Sequence, residues 1–288
     1  MITLDLLLNF WTMPFMVRAV IVLVTLGITA GIVGVFVNLR GFEFLTDGLT
    51  HAVFPGIAAG VAFAGSGGLL WGAALAAAAA TVFLSLLARR GVSSDAAVAV
   101  VLVAMFSVGV VIVSRSDDAA GQLEQLLFGQ LFTVSVSEVV ATAILGFLAI
   151  VTVLVSVRAQ VMTAFDRDAA RAAGYRVNLV DLALNVAIAL VVVSASIAVG
   201  NLLVIAILIV PGALARIWAR RLTTLFAVAL TFAVFGGLLG LAGAFTLSVG
   251  LDIPVPPGAA IAAVFVSSYL LAQLLFVIVR RPRVGGLR

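Results

Sequence analysis

The 288-residue chain contains no cysteine and no lysine. Without cysteine there is no disulfide, no zinc–thiolate site and no iron–sulfur cluster. Without lysine there is no Walker A phosphate loop and no Schiff base, so this sequence does not hydrolyse ATP by the Walker route. Charge is scarce: charged residues make up 10% of the chain, and all 16 basic residues are arginines. Histidine occurs once, as His51.

What is abundant is apolar surface. Hydrophobic residues are 64% of the chain and the mean hydropathy is +1.34. Apolar stretches of about 20 residues recur along the whole length, the mark of a polytopic membrane protein. The reading is an all-α transmembrane bundle of eight to nine membrane segments, forming a single transmembrane domain over 1–288. The segments fall near 17–39, 48–66, 68–88, 95–114, 137–157, 178–198, 201–218, 222–248 and 257–280. The second and seventh contain Pro55 and Pro211, which predicts broken or partial spans there. Met1 to Met16 has no positive n-region, so no cleaved signal peptide is expected.

The net charge of +4 and pI near 10.9 do not predict a nucleic-acid partner. The arginines stand in short clusters between apolar segments, where membrane orientation explains them. If the linker with Arg158, Arg167, Arg171 and Arg176 is cytoplasmic and the segments alternate, 14 of the 16 arginines fall inside. Only Arg18 and Arg115 are left outside. The N-terminus is then outside and the C-terminus cytoplasmic. Asp5, Asp117, Asp118, Glu124, Glu138 and Asp252 collect on the outer side, either as ordinary loop residues or as an acidic mouth that concentrates cations. Gly27 and Gly31, Gly56 and Gly60, and Gly236 and Gly240 are spaced for close helix packing in lipid.

Asp47 and His51 are four residues apart, so on a helix they share a face. A carboxylate and an imidazole make half of a transition-metal site, and ionisable groups that persist in apolar segments are usually functional. The competing reading is an Asp that caps the second helix and a histidine hydrogen-bonded in the bundle. Two donors do not complete a first-row metal site. A two-fold mate would supply a second Asp and His, giving an oxygen and nitrogen set suited to manganese, zinc or iron.

Two other stretches carry a pattern. Residues 164–175, which include Phe165, Asp166, Arg167, Ala169, Arg171 and Gly174, form an amphipathic segment with Gly174 at a plausible C-cap. Such a surface helix either docks into a partner's groove or lies on the membrane. In the stretch from Val199 to Arg216, Pro211 must disturb a helix, at a pathway or merely in packing.

Together these residues resemble the membrane permease subunits of bacterial metal-importing ABC transporters of the zinc, manganese and iron type. The resemblance spans nearly the full chain. It rests on Leu39-Arg40 followed by Asp47 and His51-Ala52-Val53-Phe54-Pro55-Gly56, then on Phe165-Asp166 with Ala169-Ala170 and Gly174. Val199-Gly200, Leu202-Leu203-Val204, Ala206 and Pro211 complete it, with Leu127-Phe128-Gly129 between the fourth and fifth segments. It implies a multi-pass subunit of the bacterial cytoplasmic membrane that is not itself an enzyme. It implies no resident cofactor, a transported divalent metal, a dimer with a second copy of itself, two cytoplasmic ATPase subunits and an extracytoplasmic metal-binding protein. Asp47 and His51 align with the metal-coordinating positions and the segment from Phe165 to Tyr175 with the ATPase contact. Pro55, Gly56, Gly200 and Pro211 become pathway or helix-break positions. Glu43 is a departure, because the family more often has a second basic residue before the Asp. The alternatives are a secondary transporter using Asp47 and His51 as a proton relay, and an ABC permease for a vitamin or siderophore.

Overall fold

The computed structural model describes residues 13–90, 94–114, 129, 131–250, 253 and 255–279. Among them the regular structure is helical: α1 (Pro14–Arg40), α2 (Glu43–Ala64), α3 (Gly68–Arg89), α4 (Ser94–Val113), α5 (Val136–Val155), α6 (Val157–Phe165), α7 (Arg167–Ala172), α8 (Val177–Val199), α9 (Asn201–Trp218), α10 (Leu222–Phe245) and α11 (Pro257–Val279). Eight of these are long and apolar enough to cross a membrane. The remaining long helix, α2, has 22 residues, about 33 Å at the α-helical rise. Its polar residues lower its hydropathy, which is why eight and nine segments are both defensible counts from the sequence.

Helices α1 and α8 form the centre, with Leu23, Leu26, Val33, Leu184, Ile188 and Val191 fully buried. Helix α2 lies against α3 and α4, α1 against α9 and α10, α8 against α5, and α11 against α9 and α10. The outer helices expose Phe63, Trp71, Phe147, Phe235 and Leu274, an apolar exterior that suits hydrocarbon. The glycine pairs lie at crossings. A Cβ on Gly31 would come 2.9 Å from the Leu230 Cα on α10, and one on Gly236 would come 2.8 Å from the Phe265 ring on α11. Gly56 and Gly60 face Gly72 and Gly68 across the α2–α3 crossing, where backbone meets backbone.

Three boundaries differ from expectation. Helix α2 starts at Glu43, so Asp47 lies inside it and does not precede it. Both α2 and α9 run unbroken through their prolines, Pro55 and Pro211. Gly200, one of the positions read as a pathway or helix break, has a φ of 79° that lets the chain leave α8 and enter α9 without an intervening loop. The segment read as one surface helix is two, because Asp166 takes an extended conformation with φ −151° and ψ 110°.

Candidate functional site

The site begins with the turn that launches α2. Gly41 ends α1 with φ 67°, and the Phe42 N–H donates to Val37 O at 2.9 Å, which closes the last turn of α1 as a left-handed C-cap does. The N-cap of α2 is Phe42, with no side-chain cap. Asp47 is therefore not a capping residue.

One turn on, Asp47 Oδ1 and His51 Nε2 are 3.5 Å apart, with side chains 30% and 25% exposed. They point the same way from one helix face and remain reachable. The His51 ring meets Phe106 of α4 edge-on, with centroids 5.6 Å apart. Phe106 is in turn stacked on Phe54, with centroids 5.4 Å apart. This apolar wall fixes one side of the imidazole, and the buried Nδ1 has no hydrogen-bond partner among the described residues. Among the described residues no third His, Cys, Asp or Glu joins the pair. One chain thus offers one carboxylate oxygen and one imidazole nitrogen on a partly open face. That is two donors, and a further two from elsewhere would complete a first-row coordination sphere.

The neighbouring glycine and proline positions sort by location. Pro55 is buried in α2, one turn beyond His51. Gly56 lies on the α3 side, where a Cβ would collide with the Gly72 carbonyl. Pro211 is buried in α9. Near it Asn38 of α1 donates its side-chain amide to Ile209 O at 3.0 Å and to Gly34 O at 2.9 Å. Arg216 Nη1 donates to Asn38 O at 2.7 Å. The end of α1 is thereby stapled to α9.

At the same end of the bundle stand α6 and α7. Asp166 is the N-cap of α7, its Oδ1 accepting from Asp168 N at 2.8 Å and Ala169 N at 2.9 Å. Gly174, with φ 88°, ends the segment, and Tyr175 N donates to Ala170 O at 3.0 Å. Ala170 is buried beneath, whereas Phe165 is 73% exposed at the junction of the two helices. Phe165 is thus an aromatic residue held out beside a capped helix start and not part of the core.

A polar cluster that sequence reasoning missed links these parts. Arg40 donates to Asp181 Oδ1 through Nη2 and to Gln160 Oε1 through Nη1, the latter at 2.7 Å. Arg167 Nη2 donates to Asp181 Oδ2 at 2.6 Å. Gln160 Nε2 completes the cluster by donating to Val180 O at 2.8 Å. The available signal was Asp181 itself, a lone acid inside an apolar segment. Of the acids assigned to an outer mouth, Glu138 is described. It forms a capping box with Ser135 at the start of α5, so it has a structural job. Asp5, Asp117, Asp118, Glu124 and Asp252 lie outside the described residues, as do Arg115, Leu127, Phe128 and the arginines from 280 onward.

Comparison with known proteins adds to this geometry. The ABC 3 transport family matches residues 12–276. The manganese transport system membrane protein MntC of Listeria innocua is 31% identical over 228 residues, covering 79% of this chain and 80% of the relative. The chelated iron transport system membrane protein YfeD of Yersinia pestis is 32% identical over 230 residues, covering 79% of this chain and 76% of the relative. Among solved structures, PsaBC from Streptococcus pneumoniae, in complex with Fab, superposes with a TM-score of 0.80 at 25% identity, covering 96% of this chain and 99% of that one.

Proposed function

This chain belongs to the ABC 3 transport family, and we propose that it is the membrane permease of an ATP-driven importer of divalent transition metal ions. The whole chain serves as one translocation domain. The carrying observation is the Asp47–His51 pair, 3.5 Å apart on one partly open face of α2. Manganese suits a mixed carboxylate and imidazole set without sulfur, and so do zinc and iron. The names of the relatives, manganese and chelated-iron transport proteins, favour manganese or iron. An ABC family also weighs against an ion-coupled carrier that uses the pair as a proton relay.

Two copies related by a two-fold axis bring Asp47 and His51 against their mates and complete the donor set. An extracytoplasmic binding protein delivers the ion. A pair of ATPase subunits docks on the cytoplasmic side at α6 and α7, with Phe165 as its anchor. In that arrangement the N-terminus is outside and the C-terminus inside, an orientation supported by the arginine distribution if the segments alternate.

The deciding experiment is uptake of radioactive manganese by cells in which this permease replaces the native one. His51→Ala should abolish uptake while membrane insertion and dimer formation persist. Normal uptake by that variant overturns the metal-site reading.

A further inference from the structure

The Arg40–Asp181–Arg167 cluster is separate from the metal pair, and it reaches the exposed α6–α7 surface only through Arg167. Asp181 lies in the second turn of α8. Its two carboxylate oxygens accept from two different arginines, Oδ1 from Arg40 at the end of α1 and Oδ2 from Arg167 at the start of α7. Arg40 also lies over the Phe42 ring, with its guanidinium carbon 5.2 Å from the centroid. Phe42 is the residue from which α2 starts, one turn before Asp47. A continuous set of contacts therefore runs from α7, through Asp181 and Arg40, to the corner that sets the position of Asp47 and His51.

The two arms differ in burial. The Arg40 side chain is 1% exposed and that of Arg167 is 45% exposed. A buried guanidinium deprived of its partner is strongly unfavourable, so the Arg40 arm is the costlier one to break. An ion pair open to solvent is weak and exchangeable, so Arg167 can let go. Gln160, fully buried, locks the fixed arm to α6 and to the α8 backbone.

We propose that Asp181 is a positioning residue that passes displacement of α7 to the α1–α2 corner, with Arg40 as its fixed arm and Arg167 as its releasable one. This rests on the reading that the ATPase docks at α6 and α7. The role is coupling: Asp181 touches no transported ion. It predicts that loss of Asp181 lowers the number of ions moved per ATP hydrolysed, while metal affinity at Asp47 and His51 stays as it was.

The test uses the permease assembled with its ATPase and binding protein in proteoliposomes, with manganese uptake and ATP hydrolysis measured together. Asp181→Asn should lower uptake per ATP by about tenfold, within the usual span of coupling between sites. Arg167→Ala should lower the same ratio, and Arg167→Lys should restore part of it. The double variant should be no worse than the worse single one, because both changes cut one link. Multiplying losses, or an unchanged ratio in Asp181→Asn, overturn the proposal. If Asp181→Asn does not fold, the Arg167→Ala and Arg167→Lys ratios decide, because that arm is solvent-exposed. Capture of the ATPase by Phe165→Ala permease is measured alongside. Capture retained there sinks the docking reading, whereas capture lost there with a normal ratio in Asp181→Asn sinks only the relay.

Discussion

Asn38 of α1 donates its side-chain amide to the main-chain oxygen of Ile209 on α9, at 3.0 Å. The bond falls two residues before Pro211 and ties α1 to the middle of α9. Asn38 is 4% exposed, so its amide has no water to fall back on. Replacing Asn38 with Leu removes this bond and the one to Gly34, and we expect a loss of about 1–3 kcal/mol of stability. Thermal unfolding of the detergent-solubilised protein checks it, and an unchanged midpoint would show that the staple does not hold α9.

The metal pair gives a separable expectation. Asp47→Asn keeps the shape of the side chain but removes the charge that a divalent ion needs, so manganese affinity should fall by at least about tenfold. Calorimetric titration of the purified permease reads this directly, and wild-type affinity in Asp47→Asn would remove the carboxylate from the donor set.

At the α6–α7 corner, Phe165→Ala should weaken ATPase binding by about 1–3 kcal/mol, the range for an aromatic anchor. Metal affinity should not change, because Phe165 lies outside the α2 pair. Co-purification of the ATPase with wild-type and variant permease distinguishes docking from a helix that merely rests on the membrane. In the second case, capture is equal for both.

Gly56 provides a packing test. Its missing side chain lets α2 approach the Gly72 carbonyl of α3, and Gly60 repeats the arrangement one turn on. Gly56→Ala should destabilise the protein by about 1–3 kcal/mol through overpacking. Gly243→Ala, with open space around its Cβ position, should be near neutral by the same unfolding assay.

Much of this was visible in the chain alone, for identifiable reasons. Apolar runs of about 20 residues have one stable solution in lipid, so the bundle and its segments could be read directly. A single histidine four residues from an acid could be found by spacing alone. The start of α2 was harder, because Glu43, Thr46 and Asp47 look like loop residues until Gly41 is seen to close α1 immediately before them. Pro55 and Pro211 suggested breaks, but α2 and α9 continue as helix through both, and of the four positions named for a pathway or a break only Gly200 separates two helices. The Arg40–Asp181–Arg167 cluster joins Arg40 to residues more than 100 positions away, and no local pattern encodes such a meeting.

The unpartnered Nδ1 of His51 bears on how an ion would be held. Where a metal resides permanently, the second nitrogen of a ligating histidine is held by a carboxylate or carbonyl, which raises ligand basicity and slows departure. Here that nitrogen is buried without a described partner, and a phenyl edge from Phe106 lies beside the ring instead. If His51 ligates the ion as proposed, its ring is oriented by packing against Phe106 and not by a carboxylate or carbonyl among the described residues.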